Sequence, residues 1–251
     1  MGPSNMHTQF DFHVAQQRYI KAAVGMFPIC RNSWMALLLL TTGCASQTLF
    51  KSDFAPTAIN QPPAHTQAVG TANTRGFVRV IPPPATPSGK WVQLRRPNGA
   101  ASFPALQGNL SQSPQNGTYV FSTYLYIPSG SGLATIQFER FGQSINDDSG
   151  FLHLDFTKEN RVRIDDKEET TFGTFTRNQV FLVQVTLTIN ASSAKAHIVL
   201  AGAGASGTAD RNVIPPLLPM AHQFGAVRLW MGFPWTGWFD ATNILVTRNQ
   251  H

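Results

Sequence analysis

The densest chemistry-bearing stretch of the chain is Trp230-Met231-Gly232-Phe233-Pro234-Trp235-Thr236-Gly237-Trp238-Phe239, which holds three of its five tryptophans. On a strand, Val227, Leu229 and Met231 share one face, while Arg228 and Trp230 share the other. Phe233 and Trp235 follow in a loop bounded by Gly232 and Gly237. Exposed rings in such a loop can stack on the apolar faces of sugars, with Arg228, Asp240 and Asn243 supplying hydrogen bonds around them. Trp230, Phe233, Trp235, Arg228, Asp240 and Asn243 are therefore the candidate ligand-binding residues. The competing reading makes the same rings plugs that close one end of a hydrophobic core.

Catalytic groups are sparser. His153 and Asp155 alternate on one short apolar segment, and Glu139 could add a carboxylate from a neighbouring strand. A retaining glycosidase needs two carboxyl groups about 5–5.5 Å apart. A His–Asp pair without a nucleophile or second acid is an ordinary polar face. No catalytic residue is assigned, and a binding module is favoured over an enzyme. Two acidic clusters, Asn146-Asp147-Asp148-Ser149-Gly150 and Asp165-Asp166-Lys167-Glu168-Glu169, offer oxygen ligands but have no EF-hand spacing and suit turns. Gly202-Ala203-Gly204-Ala205-Ser206-Gly207 lacks the Lys-Ser/Thr ending of a phosphate loop and reads as a flexible loop. No Cys/His set has zinc spacing, so neither a metal nor a cofactor is expected.

These residues need a scaffold, and the scaffold reads as β. Over Gln179–Asn190, Phe181, Val183, Val185, Leu187 and Ile189 share one face and Gln184, Thr186 and Thr188 the other. Thr118–Ile127 alternates in the same way, with Tyr124 and Tyr126 opposite the apolar row. Further strands are expected at 77–81, 90–96, 133–141, 151–156, 160–165, 195–200, 224–231 and 238–248. No window beyond residue 44 keeps a helical period. The expected fold class is all-β, a two-sheet antiparallel sandwich of roughly ten strands. Lys and Arg total 19 against 13 Asp and Glu, a formal net charge of +6 with no basic stripe, so nucleic acid is not expected as a partner.

The run Met35-Ala36-Leu37-Leu38-Leu39-Leu40-Thr41-Thr42-Gly43-Cys44, with Arg31 before it, resembles a bacterial lipoprotein signal peptide ending in its lipobox. Thr41 stands where that family prefers Leu. The apolar core is about ten residues, where a spanning helix needs about 20. The resemblance implies cleavage before Cys44, lipidation (palmitate) of Cys44, and an envelope location. Ala45 in second place implies the outer membrane of a Gram-negative cell. Cys30 would leave with the leader, so the folded part would carry no disulfide. The expected domains are 1–43, an N-terminal extension and signal peptide; 44–75, the lipidated cysteine and a disordered tether rich in Pro, Gln and Ala; and 76–251, the sandwich.

The strand order, with Phe175–Leu187 followed by Ala196–Gly202 and a closing Gly237–Arg248, resembles a concanavalin A-like or laminin-G-like jelly roll. That superfamily holds sugar-binding modules, polysaccharide lyases and hydrolases, and adhesive domains. The expected function is a membrane-anchored envelope lipoprotein whose sandwich binds a glycan or an envelope protein. The alternatives are a structural envelope protein without a small ligand, and a polysaccharide hydrolase or lyase.

Overall fold

The computed structural model describes residues 46–69, 76–111, 115–141, 150–190, 193–213, 224–232 and 234–249. The fifteen strands are β1 (Ser46–Ser52), β2 (Thr66–Val69), β3 (Val78–Ile81), β4 (Trp91–Arg96), β5 (Phe103–Asn109), β6 (Gly117–Tyr126), β7 (Ala134–Arg140), β8 (Gly150–Phe156), β9 (Arg161–Ile164), β10 (Gly173–Thr174), β11 (Val180–Ile189), β12 (Ala194–Gly202), β13 (Ser206–Val213), β14 (Phe224–Trp230) and β15 (Gly237–Asn249). All pairings are antiparallel. The only helix among the described residues is a single 3-10 turn, Glu168–Thr170.

The hydrogen-bonded path runs β2-β5-β14-β7-β8-β9-β10-β13-β12-β11-β6-β15-β4-β3, with β1 added on β15. The two-residue β10 is the hinge of this path. It pairs with β9 on one side and β13 on the other, and so joins two layers into one nearly closed sheet. The layers face each other through aromatic side chains. Phe121 on β6 meets Phe138 on β7 edge-on at 5.3 Å between ring centroids. Tyr119 meets Phe224 at 5.3 Å, and Phe156 meets Phe181 at 5.7 Å. None of these pairs lies on neighbouring strands, so the contacts cross the sandwich. Val183, Val185 and Ile198 are fully buried between the layers, as their alternation requires.

The segment expected as a disordered tether differs most from expectation. β1 begins at Ser46 and pairs with β15 from Ser46↔Asn249 to Ser52↔Ile244. Leu49 and Phe54 are buried in the core. The reason lies in β15, which is 13 residues long. β4 pairs only with Gly237–Ala241, which would leave the second half of that edge unsatisfied. β1 fills it. The changeover falls at a register shift between Thr242 and Leu245, where Asn243 has φ 51°. Asn tolerates the left-handed region better than most residues. Strands β2, β5, β10 and β13 also add to the roughly ten expected. The Gly202–Gly207 stretch, expected as a flexible loop, is a tight turn linking β12 to β13.

Candidate functional site

Strands β5, β14, β7, β8 and β9 send one row of side chains into the core and the other outward. The outward row would normally be solvated. Here much of it is buried: Gln107, Thr135, Gln137, Glu139, Asp155 and Arg228 are all at most 7 % exposed. Register aligns them across strands. Arg228 lies opposite Gln107 on one side and Gln137 on the other, and Gln137 lies opposite His153. The adjacent row is Trp230, Thr135, Asp155 and Arg163.

Arg228 forms an ion pair with Glu139, both side chains almost wholly buried. Asp155 is anchored twice: Thr135 Oγ1 donates to its Oδ1 (2.7 Å) and the Asp166 amide to its Oδ2 (2.8 Å). Burial nevertheless pushes the Asp155 carboxyl above the usual carboxylate range, because desolvation outweighs those bonds. Gln107 donates to Asn109 Oδ1 (2.8 Å), which leaves its own Oε1 buried without a partner. Neither end of the Gln137 amide has a hydrogen-bond partner, though the side chain is fully buried. Trp230 Nε1 is likewise buried and unpaired. Its ring packs over Gly232 and against Phe103, 6.0 Å between centroids. At Gly150 a Cβ would run into His153 Nε2 and the Gln137 amide, so glycine leaves room for both.

Such an arrangement is costly in a free protein, since a buried amide without a partner forfeits about 1–3 kcal/mol. It is suited to a ligand that brings its own donors and acceptors. It is less suited to paired-carboxylate hydrolysis. Thr135 lies opposite Asp155, so Glu139 is displaced four residues along β7, about 13 Å at 3.3–3.4 Å per residue. Asp155 is held by Thr135 and Glu139 by Arg228, so each carboxyl is tied to its own partner and the two do not contact each other.

Two groups that sequence reasoning kept apart thus share one face. Arg228 and Trp230 came from the binding set; Glu139, His153 and Asp155 came from the catalytic alternative. The remaining binding candidates lie elsewhere. Trp235 is at one end of the sandwich, packed against the core and lining a cleft of about 350 Å³ with Lys158, Arg177 and the Gly130–Gly132 turn. Lys158 Nζ sits 5.5 Å from its ring centroid. Asp240 and Asn243 are on β15, in the opposite layer. Asp240 is buried, accepts from Gln93 Nε2 (3.2 Å), and is pushed up to about 7 by desolvation. Asn243 is exposed at the register shift. The five candidates among the described residues therefore do not form one site. Phe233, Cys44 and Asn146–Ser149 lie outside the described residues. In the second acidic cluster, Asp165 Oδ1 accepts from the His153 amide (3.2 Å) and Asp166 pairs with Arg163 (3.7 Å). Among the described residues no three His, Cys, Asp or Glu side chains cluster to hold a metal. Gln107 and Gln137 were missed, because a glutamine on a strand carries no signal until its register is known.

No family model and no curated protein matches the chain. Solved structures do. A β-glucanase catalytic domain of glycoside hydrolase family 131 from Podospora anserina is 11 % identical with a TM-score of 0.50, over 82 % of this chain and 97 % of that one. A protein of unknown function from Shewanella oneidensis MR-1 is 13 % identical with a TM-score of 0.51, over 88 % and 97 %. Lectin II from Ulex europaeus is 12 % identical with a TM-score of 0.44, over 82 % and 99 %. At these identities the likeness is one of fold: an all-β antiparallel sandwich.

Proposed function

We propose that this protein is a carbohydrate-binding envelope lipoprotein, anchored by a lipid on Cys44 and recognising glycan on the outer face of β5, β14, β7, β8 and β9. One observation carries the reading: the fully buried, unpartnered Gln137 amide, set between Arg228 and His153. Sugar hydroxyls both donate and accept, so they complement an amide that needs one of each, and because the free protein leaves none of Gln137 open, binding requires the side chains over it to move aside. The half-buried Trp230 beside it supplies the aromatic surface that sugars favour. The likeness in fold to a β-glucanase domain supports sugar as the ligand class. The anchor rests on the lipobox resemblance and on an apolar run too short to span a bilayer.

The test is binding of the detergent-solubilised full chain to a glycan array, repeated with Gln137→Met and with Trp235→Ala. Binding lost in the first variant and kept in the second supports the sheet face. The reverse moves the site to the Trp235 cleft. No binding to any glycan sinks the carbohydrate reading. Uptake of labelled palmitate by the wild type but not by Cys44→Ala tests the anchor separately.

A further inference from the structure

Cys44 precedes the first residue of β1 by two positions. Two residues span at most about 7 Å. The expected 30-residue stand-off therefore does not exist, and a lipid on Cys44 brings one particular end of the sandwich down to the bilayer. Register identifies that end. Ser46 lies opposite Asn249, Asn249 opposite Thr118, Thr118 opposite Thr188, and the neighbouring Ile189 opposite Ala194. Across the core, Tyr119 touches Phe224, and Phe224 lies opposite Arg140. The same rim thus gathers strand ends from both layers.

This rim has the chemistry of an interfacial surface. Phe141 is 41 % exposed, one of three exposed large hydrophobic side chains among the described residues. Lys195 is exposed, Arg140 is half-exposed, and Arg248 is half-exposed beside Thr118. Gln115 and the Asn116 carbonyl hold the Arg248 guanidinium. On the same side Asp210 lines a cleft with Lys195, and Asp165 lines one with Phe151 and Val213. An exposed aromatic next to a half-exposed arginine, Arg140-Phe141, suits the glycerol and phosphate level of a phospholipid bilayer.

We infer that the rim carrying Phe141, Arg140, Lys195, Arg248 and Thr118 rests on phospholipid headgroups, with the opposite end pointing away from the membrane. β6 is ten residues long, so the Pro128–Gly132 turn and the Trp235 cleft stand roughly 30 Å above the lipid. The outer face bearing Gln137 and Arg228 then stands side-on to the bilayer, open to a polymer running parallel to it. The inference rests on lipidation of Cys44.

The experiment uses the full chain, processed in cells and reconstituted in phosphatidylethanolamine–phosphatidylglycerol vesicles. Residues 46–251 contain no cysteine, and a lipidated Cys44 is blocked, so an introduced cysteine is the sole label site. Bimane is placed at Thr118→Cys on the rim or at Ser129→Cys at the far end, with doxyl-labelled lipid as quencher. The Thr118 probe should be quenched several-fold more strongly than the Ser129 probe, and Phe141→Ser with Lys195→Glu should reduce that difference. Equal quenching, or stronger quenching at Ser129, overturns the orientation while leaving the anchor intact. Bimane uptake at Cys44 itself, with no palmitate incorporated, overturns the anchor and the orientation together.

Discussion

Replacing Gln137 by methionine should make the protein more stable and less able to bind. Gln137 is fully buried and neither amide atom has a partner. Methionine matches its length and nearly its volume, so packing is conserved. What the substitution removes is the desolvation cost of an unsatisfied amide, about 1–3 kcal/mol by mutational measure. For a domain of about 200 residues each kcal/mol moves Tm by roughly 2–4 °C, so the melting point should rise by about 2–12 °C. In the bound state the sign reverses. Two lost hydrogen bonds at about 0.5–1.5 kcal/mol each weaken glycan affinity roughly 5- to 150-fold. Guanidinium titration followed by tryptophan fluorescence gives the first quantity, and calorimetry with an array-positive glycan gives the second. Opposite signs are the signature of a site that keeps a strained polar group for a ligand. A variant that melts lower at unchanged m would show that the amide is satisfied in the free protein. The outer face would then be a structural network and not a site.

Three further outcomes follow from the same geometry. Asp240 has a folded-state pKa of about 7 against an ordinary 3.8, so the folded state holds the extra proton between those values. Stability should therefore fall as pH rises from about 4 to about 7, by up to about 4 kcal/mol at 1.36 kcal/mol per unit. Asp240→Asn cannot ionise, so it should match the wild type at pH 4 and exceed it at pH 8, and parallel stability–pH curves would refute the assignment. Gly150→Ala should weaken glycan binding and also lower Tm, because its Cβ would run into His153 Nε2, the Gln137 amide and Gln137 Cγ, and Gln137 is fully buried; unchanged binding and unchanged Tm would refute the packing around Gln137. Arg228→Met should cost about 3–5 kcal/mol by stranding Glu139, and Glu139→Met on top should recover most of it; additive losses would show that the two groups are energetically independent.

The long strands were legible because one face of each is buried. β11 and β6 alternate over ten residues, and a register slip would turn every apolar side chain to solvent. β13 was not legible. Its sequence, Ser206-Gly207-Thr208-Ala209-Asp210-Arg211-Asn212-Val213, buries only its last residue and is held by backbone pairing to β12 and β10. β5 hid behind Pro104 and Gly108, which ordinarily argue against a strand. β1 hid for another reason. Ser46-Gln47-Thr48-Leu49-Phe50-Lys51-Ser52 has a short, weak pattern, and what makes it a strand is the unpaired half of β15, some 200 positions away in sequence. Local composition cannot report a vacancy on a distant edge.

The site illustrates the same limit at the level of side chains. Gln184 and Thr186 on β11 and Gln137 and Thr135 on β7 occupy the same kind of position, polar residues alternating with a buried apolar row. In sequence the two strands carry the same message. In the structure the β11 pair is half-exposed and can be solvated, whereas the β7 pair is buried. Thr135 resolves its burial by donating to Asp155, but Gln137 has no such neighbour. An outer face that faced only water would exact no cost for a glutamine, and an outer face sealed for structure would have replaced it with an apolar side chain of the same size. A glutamine kept at full burial without a partner fits neither case. It fits a surface whose missing hydrogen bonds arrive with a ligand, and this makes Gln137, more than the tryptophans of the 230–239 stretch, the residue that decides whether this face binds.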